Sequence, residues 1–373
     1  VIFSLVLVVV PTAEAEELTP TWVKTIAELG IYGESEPVLC DVNGDGIKEI
    51  FWAGRPADEV MPGQPGFNAM MICLNGSTGE VLWSETYPHY WTSGSEMTHL
   101  PIMVYDFTKD GQYEITGGGA SIMRNALTGD IIWQKPTDYF GWQNNAFIDY
   151  GTHVTLYTCG GGYVRRVNAS TGDIIGPNQV HITYTCWGGL GISDMNGDGN
   201  WEIAFGTQTT YGGLYLFDEE LNTKWNIPSI FCSSQPPKMY DVDGDGQDEI
   251  IIGHQAGTSS KICVVNYDGS YTSYGPFVGL KVHVATTVAD MDGDGNMEWI
   301  SAENTPPIII DLATGEVEAI IPGNVFMPTS IADVLPYPGY EIIITQGNQY
   351  QRGIYRFDGS TYVRTYAFPN EMY

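Results

Sequence analysis

The phrase Asp241-Val242-Asp243-Gly244-Asp245-Gly246-Gln247-Asp248-Glu249-Ile250 recurs along this chain, and the recurrence leaves few folds open. It sets carboxylates at positions 1, 3, 5 and 9 and glycines at positions 4 and 6. Oxygen ligands on alternate residues of a tight turn suit calcium, a hard cation that takes roughly six to eight oxygens in flexible geometry. The glycines let the backbone curl where a Cβ would clash. An EF-hand would need a glutamate at position 12, and Ile252 stands there. Glu249, followed at once by an apolar run, points to a shorter loop that joins two strands.

Close copies carry Asp41, Asn43, Asp45, Ile47 and Glu49; Asp194, Asn196, Asp198, Asn200 and Glu202; and Asp290, Asp292, Asp294, Asn296 and Glu298. A weaker copy holds Asp106, Thr108, Asp110, Gln112 and Glu114, with threonine at position 3. Asp333 to Glu341 keeps the frame but has Leu335 and Tyr337 at positions 3 and 5. The expected ligands are the side chains at positions 1, 3, 5 and 9 and the backbone carbonyl of position 7, which is Gln247 in the type phrase. That gives about five calcium ions for the chain. A catalytic metal wants an open position facing a cleft, whereas similar loops repeated along a chain act as staples.

The loop aspartates Asp41, Asp106, Asp194, Asp241, Asp290 and Asp333 are spaced by 65, 88, 47, 49 and 43 residues. The 88-residue gap hides a worn repeat at Phe147-Ile148-Asp149-Tyr150-Gly151, so there are seven repeats. A second phrase follows each loop, such as Asn75-Gly-Ser-Thr-Gly79 or Asn125-Ala-Leu-Thr-Gly129, and reads as a hairpin turn between apolar runs. Each repeat then holds four strands, and no window has a convincing helical period. Four strands in about 45 residues, seven times, predict an all-β, seven-bladed β-propeller with four-stranded antiparallel blades and calcium-binding loops. The propeller is expected over 37–373, after an extension over 16–36. Within that extension Thr21-Trp22-Val23-Lys24-Thr25 resembles a fourth strand, as an extra outer strand or as one that closes the ring.

Asp and Glu outnumber Lys and Arg by 45 to 15, for a formal charge of −30. Five calcium ions would leave about −20, so nucleic acid and anionic membranes are disfavoured partners. Residues 1–15 read as a secretory signal remnant with Ala13-Glu14-Ala15 as the small-x-small site, or as a retained strand that docks on a neighbouring subunit. The run is too short for a transmembrane span. An extracellular or cell-surface location follows, in keeping with calcium loops, six cysteines and the sequons at Asn75 and Asn168. The sequons read equally as hairpin turns. Cys186 and Cys232, 8 and 9 residues before their loop aspartates, are a disulfide pair or buried thiols.

These loops resemble the FG-GAP/VCBS repeats of integrin-α-type propellers. The resemblance implies a calcium-stabilised extracellular propeller serving adhesion, ligand binding or surface assembly, and some relatives are polysaccharide lyases. The Thr-Gly-x-x-x-Trp phrases ending at Trp83 and Trp133 also look like the docking motif of quinoprotein propellers. That resemblance calls for a vicinal cysteine pair, and the chain has none, so the phrases read as turns with a tryptophan packed between blades. A lyase would need a base, and His99 and His283 each fall 7 residues before a loop aspartate. Tyr87, Tyr90, Trp91 and the 139–142 aromatics read as a surface for sugar or protein, or as core between blades. The favoured reading is non-catalytic, with no catalytic residue assigned. The chain would bind a carbohydrate or cell-surface protein ligand, or self-associate into a homopolymer as part of a surface layer or filament. A polysaccharide lyase or hydrolase using His99 and His283 is the alternative.

Overall fold

The structure is a computed structural model that describes residues 21–33, 37–57, 68–88, 102–117, 120–135, 145–160, 162–177, 179–181, 189–207, 212–230, 236–256, 259–278, 286–301, 305–322, 330–337, 339–344, 352–359 and 361–367. Seven antiparallel sheets follow one another along the chain, and in six of them the strand order is the chain order. Sheet 2 is typical: Ile102–Tyr105, Glu114–Gly117, Ala120–Asn125 and Ile131–Gln134. The worn repeat at Asp149 is a full sheet, sheet 3, built from Ala146–Asp149, Val154–Gly160, Tyr163–Asn168 and Val180–His181.

Burial follows strand position. In sheet 3 every residue of the second strand, Val154–Gly160, is buried. A strand covered on both faces reads as a continuous apolar run. The outer strand Ile131–Gln134 buries only Trp133. Contacts divide the chain into two compact units, Val1–Cys186 and Trp187–Met372. Within the first unit, Phe51, Met71 and Trp83 of sheet 1 share a core with Ile102, Ile115 and Ile122 of sheet 2. Sheets 2 and 3 share Phe107, Met123, Trp133, Leu156 and Val167. Within the second unit, buried clusters join sheets 4 and 5, 5 and 6, and 6 and 7 in the same way.

The second phrase supplies a staple between neighbouring sheets. Trp83 Nε1 donates to the Ala126 carbonyl at 2.8 Å, and Trp133 Nε1 to Ala169 at 2.7 Å. Gly129 has φ of 79°, and a Cβ there would stand 2.9 Å from Trp83 Cδ2. Only glycine therefore accepts both the turn and the ring laid on it. Trp225 and Tyr274 repeat the contact onto the turns of sheets 5 and 6.

The first repeat departs from expectation. No strand forms over 21–25: Thr25 instead caps a short helix, Ile26–Leu29. Its side chain and that of Glu28 satisfy each other's backbone N–H groups, and Gly30 ends the turn in the left-handed region. This capping box outcompetes the extended form. Trp22 still donates to the Gly76 carbonyl at 2.9 Å, so it delivers the aromatic staple of a fourth strand without being one. Ile31–Gly33 and Val38–Cys40 then pair along the same edge of Glu49–Pro56, as one inner strand in two pieces.

Candidate metal centres

Each acidic loop joins the first strand of a sheet to the second, and its backbone is held by its own carboxylates. Asp241 accepts from the N–H groups of Gly244 and Gly246 at 2.8 and 3.0 Å. Asp243 accepts from Asp245, and Asp245 from Gln247. The same ladder holds Asp41, Asn43 and Asp45, then Asp194, Asn196 and Asp198, then Asp290, Asp292 and Asp294. The Asp106 loop keeps most of it, through Asp110, Gly111 and Gln112. Local Asx turns thus converge the side chains before any ion is considered. Position 7, Ile47 in the first loop, contributes its N–H to that ladder.

The glutamate at position 9 opens the second strand and is buried. Glu49, Glu202 and Glu298 are fully buried, and Glu249 is 3% exposed. One oxygen of each takes the N–H of loop position 2, as from Val42, Met195, Val242 and Met291. In the Asp106 loop Glu114 takes the N–H of Thr108, at 2.9 Å. Burial, opposed by the Val242 bond, pushes the Glu249 carboxyl up to about 7. Glu298 is pushed up to about 8, first by burial and then by the charges of Glu318, Asp292 and Asp290. Glu298 Oε1 is buried with no hydrogen-bond partner.

Carboxylate oxygens from three residues lie within 4.8 Å of one another in three loops: Asp106, Asp110 and Glu114; Asp241, Asp243 and Glu249; and Asp290, Asp292 and Asp294. Crowded, backbone-ordered carboxylates beside a buried acid fit a divalent cation. The orphaned oxygen alone does not carry that fit, because Glu341 of the degenerate seventh loop leaves its Oε1 unpartnered too. In the Asp194 loop the fit is poorer. Lys224 Nζ stands 2.6 Å from Glu202 Oε1 and takes the oxygen that a metal would need.

Sheet 3 keeps only Asp149. Tyr105 donates to it at 2.5 Å and Lys109 at 3.0 Å, and these two bonds hold its carboxyl well down, at about 2. Lys109 stands where the strong loops have their first glycine and adopts that residue's conformation, with φ of 60°. In sheet 7, Arg356 lies over the ring of Tyr337, which replaces the position-5 aspartate. Sequence reasoning missed Lys109, Lys224 and Arg356. Only Lys109 carried a signal in the sequence, as a lysine where the strong loops have glycine; Lys224 and Arg356 come to their loops through the fold.

Both sequons lie in the shared turn. Asn75 Oδ1 accepts from Ser77 and Thr78, and Asn168 Oδ1 from Ser170 and Thr171, as Asn125 does without a sequon. Of the two readings of Tyr87, surface or core between blades, the core holds: it is 3% exposed and belongs to the core of sheets 1 and 2. It lies on the outer strand, Val81–Pro88, opposite the buried Ala69. His99, His283, Cys186, Cys232, Tyr90, Trp91 and segment 139–142 lie outside the described residues, as do residues 1–20. Of the described cysteines, Cys73, Cys159 and Cys263 are buried and Cys40 is half-buried. No helix among them is long and apolar enough to cross a membrane.

No protein-family model matches the chain. It is similar to the human protein FAM234B, 29% identical over 128 residues, which are 33% of this chain and 20% of that protein. It is also similar to the rhamnogalacturonan endolyase YesW of Bacillus subtilis (strain 168), 25% identical over 252 residues, which are 60% of this chain and 38% of YesW. The chain thus spans well under half the length of the curated relatives it matches. Among solved structures it resembles BBS1N in complex with ARL6DN, with a TM-score of 0.51, 12% identity, and coverage of 85% of this chain and 91% of that one. Seven four-stranded antiparallel sheets and this likeness make the fold a seven-bladed β-propeller.

Proposed function

We propose that this chain is an extracellular, calcium-stapled propeller of the FG-GAP/VCBS type that acts by binding rather than by catalysis. The observation that carries the reading is the repeated loop. Five loops order an Asp-x-Asp/Asn/Thr-x-Asp phrase by the same backbone bonds, beside a buried position-9 glutamate. On this reading the ions are structural, the propeller occupies 37–373, and Asn75 and Asn168 are glycan acceptors. The ligand is a carbohydrate or cell-surface protein, or a second copy of the chain in a surface layer or filament.

Two measurements test it. Elemental analysis of the purified protein should find bound calcium, and a chelator should lower the melting temperature. Glycan-array binding and electron microscopy then separate ligand capture from assembly. A calcium-free protein whose melting ignores both calcium and chelator would sink the reading.

A second reading, a polysaccharide lyase, is favoured by the match to YesW across 60% of the chain. Release of unsaturated sugar ends from rhamnogalacturonan, lost on changing His99 and His283 to alanine, would establish it. Absence of turnover on acidic polysaccharides returns the chain to the binding reading.

A further inference from the structure

In five of the outer hairpins the register shifts so that one residue of the outer strand bulges out of the pairing; in sheet 7 that residue is Thr365, further from the turn, and in the other four it lies beside the turn. In sheet 1 Trp83 faces Cys73 and Val81 faces Leu74, which leaves Leu82 unpaired. Ile132 is the bulged residue of sheet 2, Lys224 of sheet 4 and Glu318 of sheet 6. A bulge re-aims its side chain. In sheet 4 that aim ends on the sheet's own loop: the Lys224 ammonium meets Glu202 Oε1 at 2.6 Å. A second bond, to Tyr267 of the next sheet at 2.7 Å, holds it there. In sheet 6 the same bulge presents a carboxylate in place of an ammonium. That residue, Glu318, lies on the outer strand of the sheet whose loop gathers Asp290, Asp292 and Asp294 beside Glu298, whose Oε1 is buried without a partner.

We infer that the bulged residue of the outer strand sets the cation affinity of the loop in its own sheet. Lys224 makes the Asp194 loop the weakest calcium site, occupied by a resident ammonium, and Glu318 makes the Asp290 loop the tightest. The inference rests on the calcium reading above. Its physical basis is charge count. Calcium affinity rises with the number of anionic ligands, and the two sheets differ at the bulge by two units of charge. Sheets 1 and 2, with exposed Leu82 and Ile132 at the bulge, fall between them.

Trp201, at position 8 of the Asp194 loop and 36% exposed, allows that loop to be read alone. Terbium replaces calcium and luminesces when a nearby tryptophan is excited. The part of the signal lost in Trp201→Phe therefore reports this loop. In full-length protein stripped of metal, that part should appear only at the highest terbium concentrations. Lys224→Met should move it down by about tenfold or more and add one bound calcium per chain in equilibrium dialysis. A Trp201-dependent signal that saturates at the same terbium concentration with and without Lys224 would overturn the inference. Should Lys224→Met fail to fold, exposed Glu318 carries the second arm. Glu318→Gln should weaken the tightest calcium class by about threefold to tenfold, and an unchanged tightest class overturns the inference equally. Protein that binds neither calcium nor terbium fails at the calcium reading itself, a result distinct from either of these.

Discussion

Sheets 3 and 6 begin alike and are held differently. In both, an aspartate stands at the end of the first strand: Asp149 is its last residue in one, and Asp290 follows Ala289 directly in the other. Sheet 6 follows its aspartate with a glycine-turned loop, two more aspartates and a buried glutamate with an orphaned oxygen. Sheet 3 turns at Gly151 with no further acid in its loop, and its aspartate is clamped by Lys109 and Tyr105 from the preceding sheet. Negative charge gathered at a strand end needs a counter-charge. Sheet 3 carries its own as a lysine, and sheet 6 leaves the place to an ion. The joint with the preceding sheet is built alike in both. Trp133 of sheet 2 lies on the sheet 3 turn, where a Cβ on Gly172 would stand 2.7 Å from Trp133 Cε3. Tyr274 of sheet 5 lies likewise on the sheet 6 turn, against Gly315.

Calcium removal should separate the two sheets most. Each site filled at about a hundredfold excess over its Kd adds about 2.7 kcal/mol. Chelation should therefore speed amide exchange at Ile300 and Ile309 far more than at Leu156 and Val167. Equal acceleration in both sheets would break the comparison. Next in size is the staple. Trp133→Ala removes a buried indole and its bond to Ala169, and should cost about 3–5 kcal/mol in urea melts, with or without calcium.

The pH dependence should have opposite signs in the two sheets. Without calcium, Glu298 titrates near 8, above its ordinary value of 4.5. The folded state then holds the extra proton, so stability falls as pH rises from 4.5 to 8, and calcium should flatten that slope. Asp149 titrates near 2, below its ordinary 3.8, so its contribution is complete above 3.8 and lost as pH falls towards 2. Chemical melts across both windows, on wild type, Glu298→Gln and Asp149→Asn, would assign each slope. The smallest effect belongs to Lys109→Met. Its ion pair is half-buried and still reached by solvent, so the loss should be slight, greatest at low salt, and absent in the Asp149→Asn background.

The repeats were legible because they are local. An Asx ladder closes within six residues, and the Asn/Asp-to-Gly turn within five, so both are written in consecutive letters. The worn third repeat was found from spacing alone, and the tryptophan of each Thr-Gly-x-x-x-Trp phrase does pack between sheets. Trp22 was read half correctly: its partner was a turn, as in the repeats, but its backbone followed the stronger local signal of Thr25 and Glu28. Tyr87 could not be placed from sequence, because an aromatic near a long insert suits a core as well as a surface.

The sequence by itself determined seven four-stranded units and the loops that could hold ions, since each is specified by residues a few positions apart. Which charges face those loops was decided only by the tertiary structure. Lys224 reaches Glu202 across 22 residues and Lys109 reaches Asp149 across 40. A one-residue register shift aims Lys224 at its loop and puts Glu318 at the matching place in sheet 6, and strand pairing, not local propensity, fixes that shift.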